Sequence, residues 1–232
     1  MHDFTWFGWI SNFVNHGNIH LFSAGLISLV ILILAFVYQL KLKTIEEELI
    51  PEAGFSFKNV IQSVVEFVLN LMEGIIGHDA KKYFPLIGAL FIYIFLNNIL
   101  GLIPGFLPAT DNVNTNYACS IIVFLYYNYM GIKAHGLKNY LGHFMGPIIW
   151  LAPLMVVIEL ISHLVRPVSL GVRLFGNIYG DHVVLGIFSD LVPLVVPVIF
   201  LFLGLFVSFI QAFVFSLLST VYIGLAVAHE EH

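Results

Sequence analysis

Glu159, Ser162, Arg166, Ser169, Arg173, Asn177 and Asp181 all fall within one long apolar run, residues 148–188. At about 100° per residue and with Arg173 as origin, Glu159, Ser162, Arg166, Ser169 and Asn177 lie within about 40° either way, and Asp181 about 80° round. His163 falls nearby. On a helix these residues form a single polar stripe, about 33 Å long at helical rise from Glu159 to Asp181. That length is comparable with the ~30 Å of a bilayer's hydrocarbon core. A guanidinium does not give up its proton in a protein, and placing one at mid-bilayer costs at least ~2.5–3.5 kcal/mol. An intramembrane cation therefore marks an ion path, a counter-ion or a buried ion pair. The last apolar segment answers with Gly204, Ser208, Gln211, Ser219 and Tyr222 near one of its own faces. Two such stripes turned toward each other leave a hydrated passage; the competing reading is that small and polar side chains act as packing glue between helices. A passive pair of Arg173 with Glu159 or Asp181 is the weaker use of these charges, because a buried ion pair is often no better than apolar packing.

The elements that carry these residues must lie in a membrane. The chain has 232 residues, 59% hydrophobic and only 10% charged, with a mean hydropathy of +0.96; soluble domains carry roughly 25% charged residues. The expected class is an all-α integral membrane protein. The formal net charge of −5 includes no basic cluster, which excludes nucleic acid as a natural partner. Cys119 is the sole cysteine and reads as a small buried apolar residue. No nucleotide-binding loop and no nucleophile with a matched base is present, so the chain alone should catalyse nothing and bind no nucleotide or cofactor.

No Lys or Arg precedes Lys41, and a cleavable signal needs a basic start, so the run from Ile19 to Leu40 is expected to stay as a transmembrane helix. Lys41 and Lys43 place its end on the cytoplasmic side and the N-terminus outside. Trp6, Phe7 and Trp9 suit an aromatic anchor at the outer interface. His16 and His20 have i,i+4 spacing, but a metal site is not expected. From Pro51 to Gly77, Val60, Ile61, Val64, Val65, Val68, Leu71, Met72 and Ile75 recur with helical period, while Lys58, Gln62, Glu66, Asn70 and Glu73 take other faces. That pattern predicts an amphipathic helix resting on the cytoplasmic leaflet. Residues 84–107 cross outward, residues 111–116 form a polar outer loop, and residues 118–130 cross back to Lys133 and Lys138. The rest is two long apolar segments broken near residues 189–193. The first reaches about 60 Å at helical rise, twice the membrane core, so it must tilt or bend; Pro167, Gly171, Gly176, Gly180 and Gly186 permit it. The chain thus reads as one multi-pass membrane domain, 1–232. It comprises an N-terminal transmembrane helix (1–44), an amphipathic surface helix (45–80), a transmembrane hairpin (81–146) and a long tilted helix pair lining the ion path (147–232). That makes about five membrane-embedded helices plus one interfacial helix, with the C-terminus cytoplasmic.

Arg166-Pro167-Val168-Ser169-Leu170-Gly171-Val172-Arg173-Leu174-Phe175-Gly176-Asn177 resembles the signature helix of subunit a of the F-type ATP synthase. The resemblance extends to Asn97-Asn98-Ile99-Leu100-Gly101-Leu102-Ile103-Pro104, and to Gln211-Ala212-Phe213 and Val221-Tyr222. It covers residues 78–232 by motif and the N-terminal part by topology alone. It implies a stator in a bacterial inner membrane, held by b-type peripheral stalk subunits and abutting a ring of c subunits, each with one membrane-embedded carboxylate. Arg173 would force that carboxylate to ionise and would separate two aqueous half-channels. Glu159, Ser162, Ser169 and Arg166 would line the cytoplasmic half. Asn177, Asp181, His182, Gln211, Gly204 and Ser208 would line the outer half. Relatives often carry an acid at the place of His182 and a His or Glu at the place of Gly204, so Asp181 would take over the acid's role, with Gly204 leaving room for its side chain. Leu170 and Leu174, beside Arg173, would face the ring. Whether the ion is a proton or sodium depends mostly on the ring's own site.

Overall fold

The computed structural model describes residues 19–41, 57–103, 106–143, 151–191 and 195–228. Trp6, Phe7, Trp9, His16, Lys43, Pro51, Pro104 and Pro193 lie outside the described residues. Six α-helices account for nearly all of the rest: α1 (Ile19–Lys41), α2 (Phe57–Ile76), α3 (Ala80–Gly101), α4 (Val113–His143), α5 (Ala152–Leu191) and α6 (Val195–Val227). Among the described residues there is no strand. Four helical runs are long and apolar enough to cross a membrane: Ile19–Leu40, Lys58–Gly101, Pro153–Phe188 and Val198–Val227. Their large apolar side chains point outward, Leu32 at 67% exposed and Phe202 at 77%. That is the reverse of a water-soluble fold and suits a lipid solvent. The protein is an all-α, multi-pass membrane protein.

The helices pack as two units, Met1–Ala109 and Thr110–His232. In the first, α2 has the amphipathic face its periodicity predicts. Val68 and Met72 are buried, whereas Gln62, Glu66, Asn70 and Glu73 are exposed. Part of the apolar face is taken up by protein, with the Phe67 ring 6.1 Å from that of Phe91 on α3. A 3-10 turn at Gly77–Asp79 joins the two helices. Gly77 sits there at φ 78°, a left-handed conformation that favours glycine. α3 starts four residues earlier than hydropathy predicts, because Lys81 and Lys82 are polar yet good helix formers. It also stops at Gly101 rather than continuing to 107, since Pro104 cannot extend a helix. The chain folds back there so closely that a Cβ on Gly101 would lie 2.7 Å from Pro108 Cγ. Ser23 of α1 donates its hydroxyl to the Leu107 carbonyl oxygen at 2.6 Å, tying α1 to this turn.

In the second unit the predicted outer loop is mostly helix. After a 3-10 turn at Ala109–Asp111, Asn112 accepts a hydrogen bond from the Asn114 N–H at 2.9 Å. This is N-capping chemistry, which asparagine supplies as readily as it forms loops. α4 then runs on beyond Met130 through Lys133 and Lys138, with one break at Gly136, φ 78° and ψ 156°. The break carries Tyr140 back onto Gly131, where a Cβ would lie 2.5 Å from Tyr140 Cε2 and 3.1 Å from the Ala226 carbonyl oxygen of α6. α5 has 40 residues, about 60 Å at helical rise. It continues through the expected break to Leu191, with Pro167 inside it. α5 and α4 approach closely at Gly171, where a Cβ would come within 3.0 Å of Tyr117 Cδ1 and 3.2 Å of Ser120 Oγ. Tyr127, Val123, Leu174 and Ile223 fill the unit's interior.

Gly131 and Gly74 should separate sharply on substitution. Gly131→Ala should lower the unfolding temperature in detergent, equivalent to ~1–3 kcal/mol of overpacking. Gly74→Ala, where nothing lies within 4 Å, should be neutral or raise stability by up to ~1 kcal/mol. Equal melting of the two variants would contradict the packing described for α4, α6 and Tyr140.

Candidate functional site

Glu159, Arg166 and Arg173 recur every seven residues along α5, close to two helical turns, so they share one face. The structure gives the two arginines different surroundings. Arg166 is mostly covered, with 22% of its side chain exposed, and its Nη2 lies 3.7 Å from Glu159 Oε1. Its guanidinium carbon also stands 5.3 Å from the centre of the Tyr222 ring on α6, within cation–π range. Arg173 is exposed, and among the described residues no carboxylate lies within salt-bridge distance of it. The surrounding surface of α5 is apolar and open, with Val168 at 48% and Val172 at 52% exposed. Leu170 and Leu174 do not share that surface: they are 3% and 0% exposed, turned into the contacts with neighbouring helices. The 100° rule places them only loosely, and Val172 is the better marker of the open face.

What fixes Arg173 is the helix beneath it. Gln211 of α6 is buried, and its Nε2 donates to the Arg173 carbonyl oxygen at 2.9 Å. Its Oε1 accepts from Asn177 Nδ2 at 2.6 Å. One amide thus holds two positions a turn apart on α5 and sets the register of the helix pair. Ser208 is buried on the same helix, as is Gly204, so α6 presents the small and polar residues that its sequence pattern predicts. Asn177 is exposed apart from its amide contact, Asp181 and Ser169 are half-buried, and Ser162 is exposed. His182 lies on α5, with its side chain outside the described residues. Among the described residues no group of three or more His, Cys, Asp or Glu is placed to hold a metal. Cys119 is buried.

A second polar group lies around Glu159 and Arg166. A cavity of about 260 Å³ is lined by Tyr127, Tyr140, Glu159, His163, Arg166, Leu225 and Ala226. Within it Asn128 is fully oriented. Its Nδ2 donates to the Phe124 carbonyl oxygen at 2.6 Å, and its Oδ1 accepts from Tyr140 Oη at 2.8 Å. His163 Nε2 lies 2.8 Å from the same Oδ1. A carbonyl oxygen only accepts, so that nitrogen carries the proton. Sequence reasoning had noted His163 only as a neighbour of the stripe and missed Tyr127, Asn128 and Tyr140 altogether. The spacing Glu159, His163, Arg166 (i, i+4, i+7) was the available signal, since it puts an acid, an imidazole and a base on one helix face.

The arrangement offers an exposed fixed cation on an apolar helix face, held by its backbone to a second helix. An anionic group carried by another molecule across that face would find a partner there that no carboxylate among the described residues occupies. A family profile described as ATP synthase A chain matches residues 21–224. The chain is 44% identical over 217 residues to a protein of Bdellovibrio bacteriovorus named ATP synthase subunit a, covering 94% of this chain and 95% of that one. It is 45% identical over 205 residues to the protein of that name from Geobacter sulfurreducens, with 88% and 89% covered. It is 49% identical over 193 residues to that of Trichlorobacter lovleyi, with 83% and 80% covered.

The Gln211 clamp makes a quantitative expectation. Gln211→Leu and Asn177→Leu should each lower stability, and a double-mutant cycle on detergent melting should give a coupling of about 0.6 kcal/mol, the mean for polar contacts between membrane helices. Strict additivity would show that the 2.6 Å contact contributes nothing.

Proposed function

The chain belongs to the ATP synthase A chain family, and on that footing we propose that it is the stator ion-channel subunit of a rotary F-type ATP synthase. The observation that carries this reading is Arg173: an exposed guanidinium on an apolar face, with no acidic partner among the described residues and its backbone pinned by Gln211. A carboxylate on a rotating ring of c subunits travels through lipid only when neutralised, because its bare charge is expensive there. Where it meets Arg173 the ionised form is favoured, since an opposite charge within a few ångströms stabilises it. A proton must then leave on one side of the contact and another join on the other, so flow across the membrane turns the ring and drives ATP synthesis.

Glu159, Ser162, Arg166 and Ser169 form the cytoplasmic half of the path. The cavity at Glu159 and Arg166 supports that assignment, because it gives water a place to stand. Asn177, Asp181, His182, Gly204, Ser208 and Gln211 form the outer half, with Asp181 as its acid. Arg173 lies between the halves and keeps an ion from passing straight through. The subunit lies in the bacterial inner membrane with its N-terminus outside and its C-terminus cytoplasmic. It is anchored by b-type peripheral stalk subunits, since a stator must resist the rotor's torque. It binds no nucleotide and catalyses nothing by itself.

Arg173→Ala should abolish gradient-driven ATP synthesis in membrane vesicles while the assembled complex stays in the membrane. Arg173→Lys should fare little better, because a flexible point charge does not replace a planar fork. Synthesis at half the normal rate or more in either variant would refute this role. Asp181→Asn should slow proton entry from the outer side in the same vesicles, and normal acridine-dye quenching by that variant would remove Asp181 from the path.

A further inference from the structure

His163 is 8% exposed and belongs to neither set of residues assigned above. It sits between Glu159 and Arg166 on one face of α5, and it lines the same cavity of about 260 Å³. At roughly 30 Å³ per molecule, that volume holds several waters. Its Nε2–H is committed to Asn128 Oδ1 at 2.8 Å, while Tyr127 Oη approaches the ring at 3.4 and 3.5 Å. Phe124 packs edge-on against it, ring centres 5.2 Å apart. With Nε2 anchored as the donor, Nδ1, which has Tyr127 Oη at 3.5 Å, is the basic nitrogen of this tautomer. A histidine needed only to tie α4 to α5 would not need a water-sized cavity or a carboxylate one turn away.

We propose that His163 is a proton-relay residue of the cytoplasmic half-path, taking protons on and off at Nδ1 between the cavity water and Glu159. The inference rests on the stator reading and adds a residue to it. A proton arriving through the cavity binds Nδ1 and makes an imidazolium, with Nε2–H still on Asn128. The Glu159 carboxylate or cavity water then takes the proton from Nδ1, so the imidazole returns neutral and the acceptor, a neutral carboxyl or a hydronium, passes the proton on to the next cavity water. Histidine suits this step because its ordinary pKa, about 6.5, lies near working pH. The groups that face it are Tyr127 and Tyr140 from α4 and Glu159 and Arg166 from its own helix. Tyr222 of α6 stands behind Tyr127, ring centres 6.1 Å apart.

The test uses the whole complex in inverted vesicles, with ATP-driven proton pumping followed by acridine-dye quenching across about pH 6 to 8. His163→Gln keeps an N–H for Asn128 but does not titrate in that range. It should assemble normally and pump roughly tenfold more slowly with a flattened pH profile, short of the ~10²–10⁴-fold of a full acid–base contribution because cavity water offers a parallel route. Wild-type pumping with a wild-type pH profile in that variant would overturn the inference and leave the role of Arg173 untouched. Normal pumping by Arg173→Ala would instead defeat the stator reading itself. Should His163→Gln fail to assemble, Tyr127→Phe decides the matter. It leaves the imidazole in place and removes the neighbouring hydroxyl, so a displaced pH midpoint supports the relay and an unmoved one overturns it.

Discussion

A guanidinium on an apolar surface cannot neutralise itself, so the structure around Arg173 has to tolerate a permanent charge without quenching it. Glu159, about four turns down the stripe from Arg173, is engaged by Arg166 at 3.7 Å, and Arg166 is further held by the Tyr222 ring. The acid and the base at that end of the stripe thereby satisfy each other. Arg173 is exposed and no carboxylate among the described residues lies within salt-bridge distance of it, which leaves it open to a carboxylate from outside the chain.

The same requirement explains how the helices around it are joined. In lipid, burying apolar side chains gives little drive for helices to associate, so close backbone approach and interhelical hydrogen bonds must do it. Gly171 lets α5 come down on Tyr117 and Ser120 of α4, and Gly131 lets Tyr140 and α6 close on α4 from the other side. Gln211 then fixes the register of α6 against α5 through the backbone of Arg173 and the side chain of Asn177. The charge itself takes no part in these ties. It stays available while the helix that carries it is held in place.

Much of this was legible in the residues before any coordinates. The stripe on α5 followed from the 3.6-residue period, as did the buried and exposed faces of α2. The motif around Arg173 pointed to the family that the comparisons then showed. Helix ends were less legible, because hydropathy ends a segment at the first polar residue while Lys81, Asn114 and Lys133 are all compatible with a continuing helix. The roles of Leu170 and Leu174 were misread, since a wheel shows which residues share a face but not which neighbour covers it. The His163 network was invisible for a related reason: Tyr127, Asn128 and Tyr140 sit on another helix, and only the break at Gly136 returns Tyr140 to the cavity.

The central claim is that the open face of α5 beside Arg173 meets the carboxylate-bearing helix of a rotor subunit. The most direct measurement is oxidative crosslinking in native membranes, with Cys119 replaced by serine and a single cysteine introduced at Val172, which is 52% exposed, or at Leu174, which is fully buried. The account predicts a disulfide between position 172 and a cysteine on the c subunit's carboxylate-bearing helix, and none from position 174. A crosslink from 174 but not 172, or from neither, would contradict it.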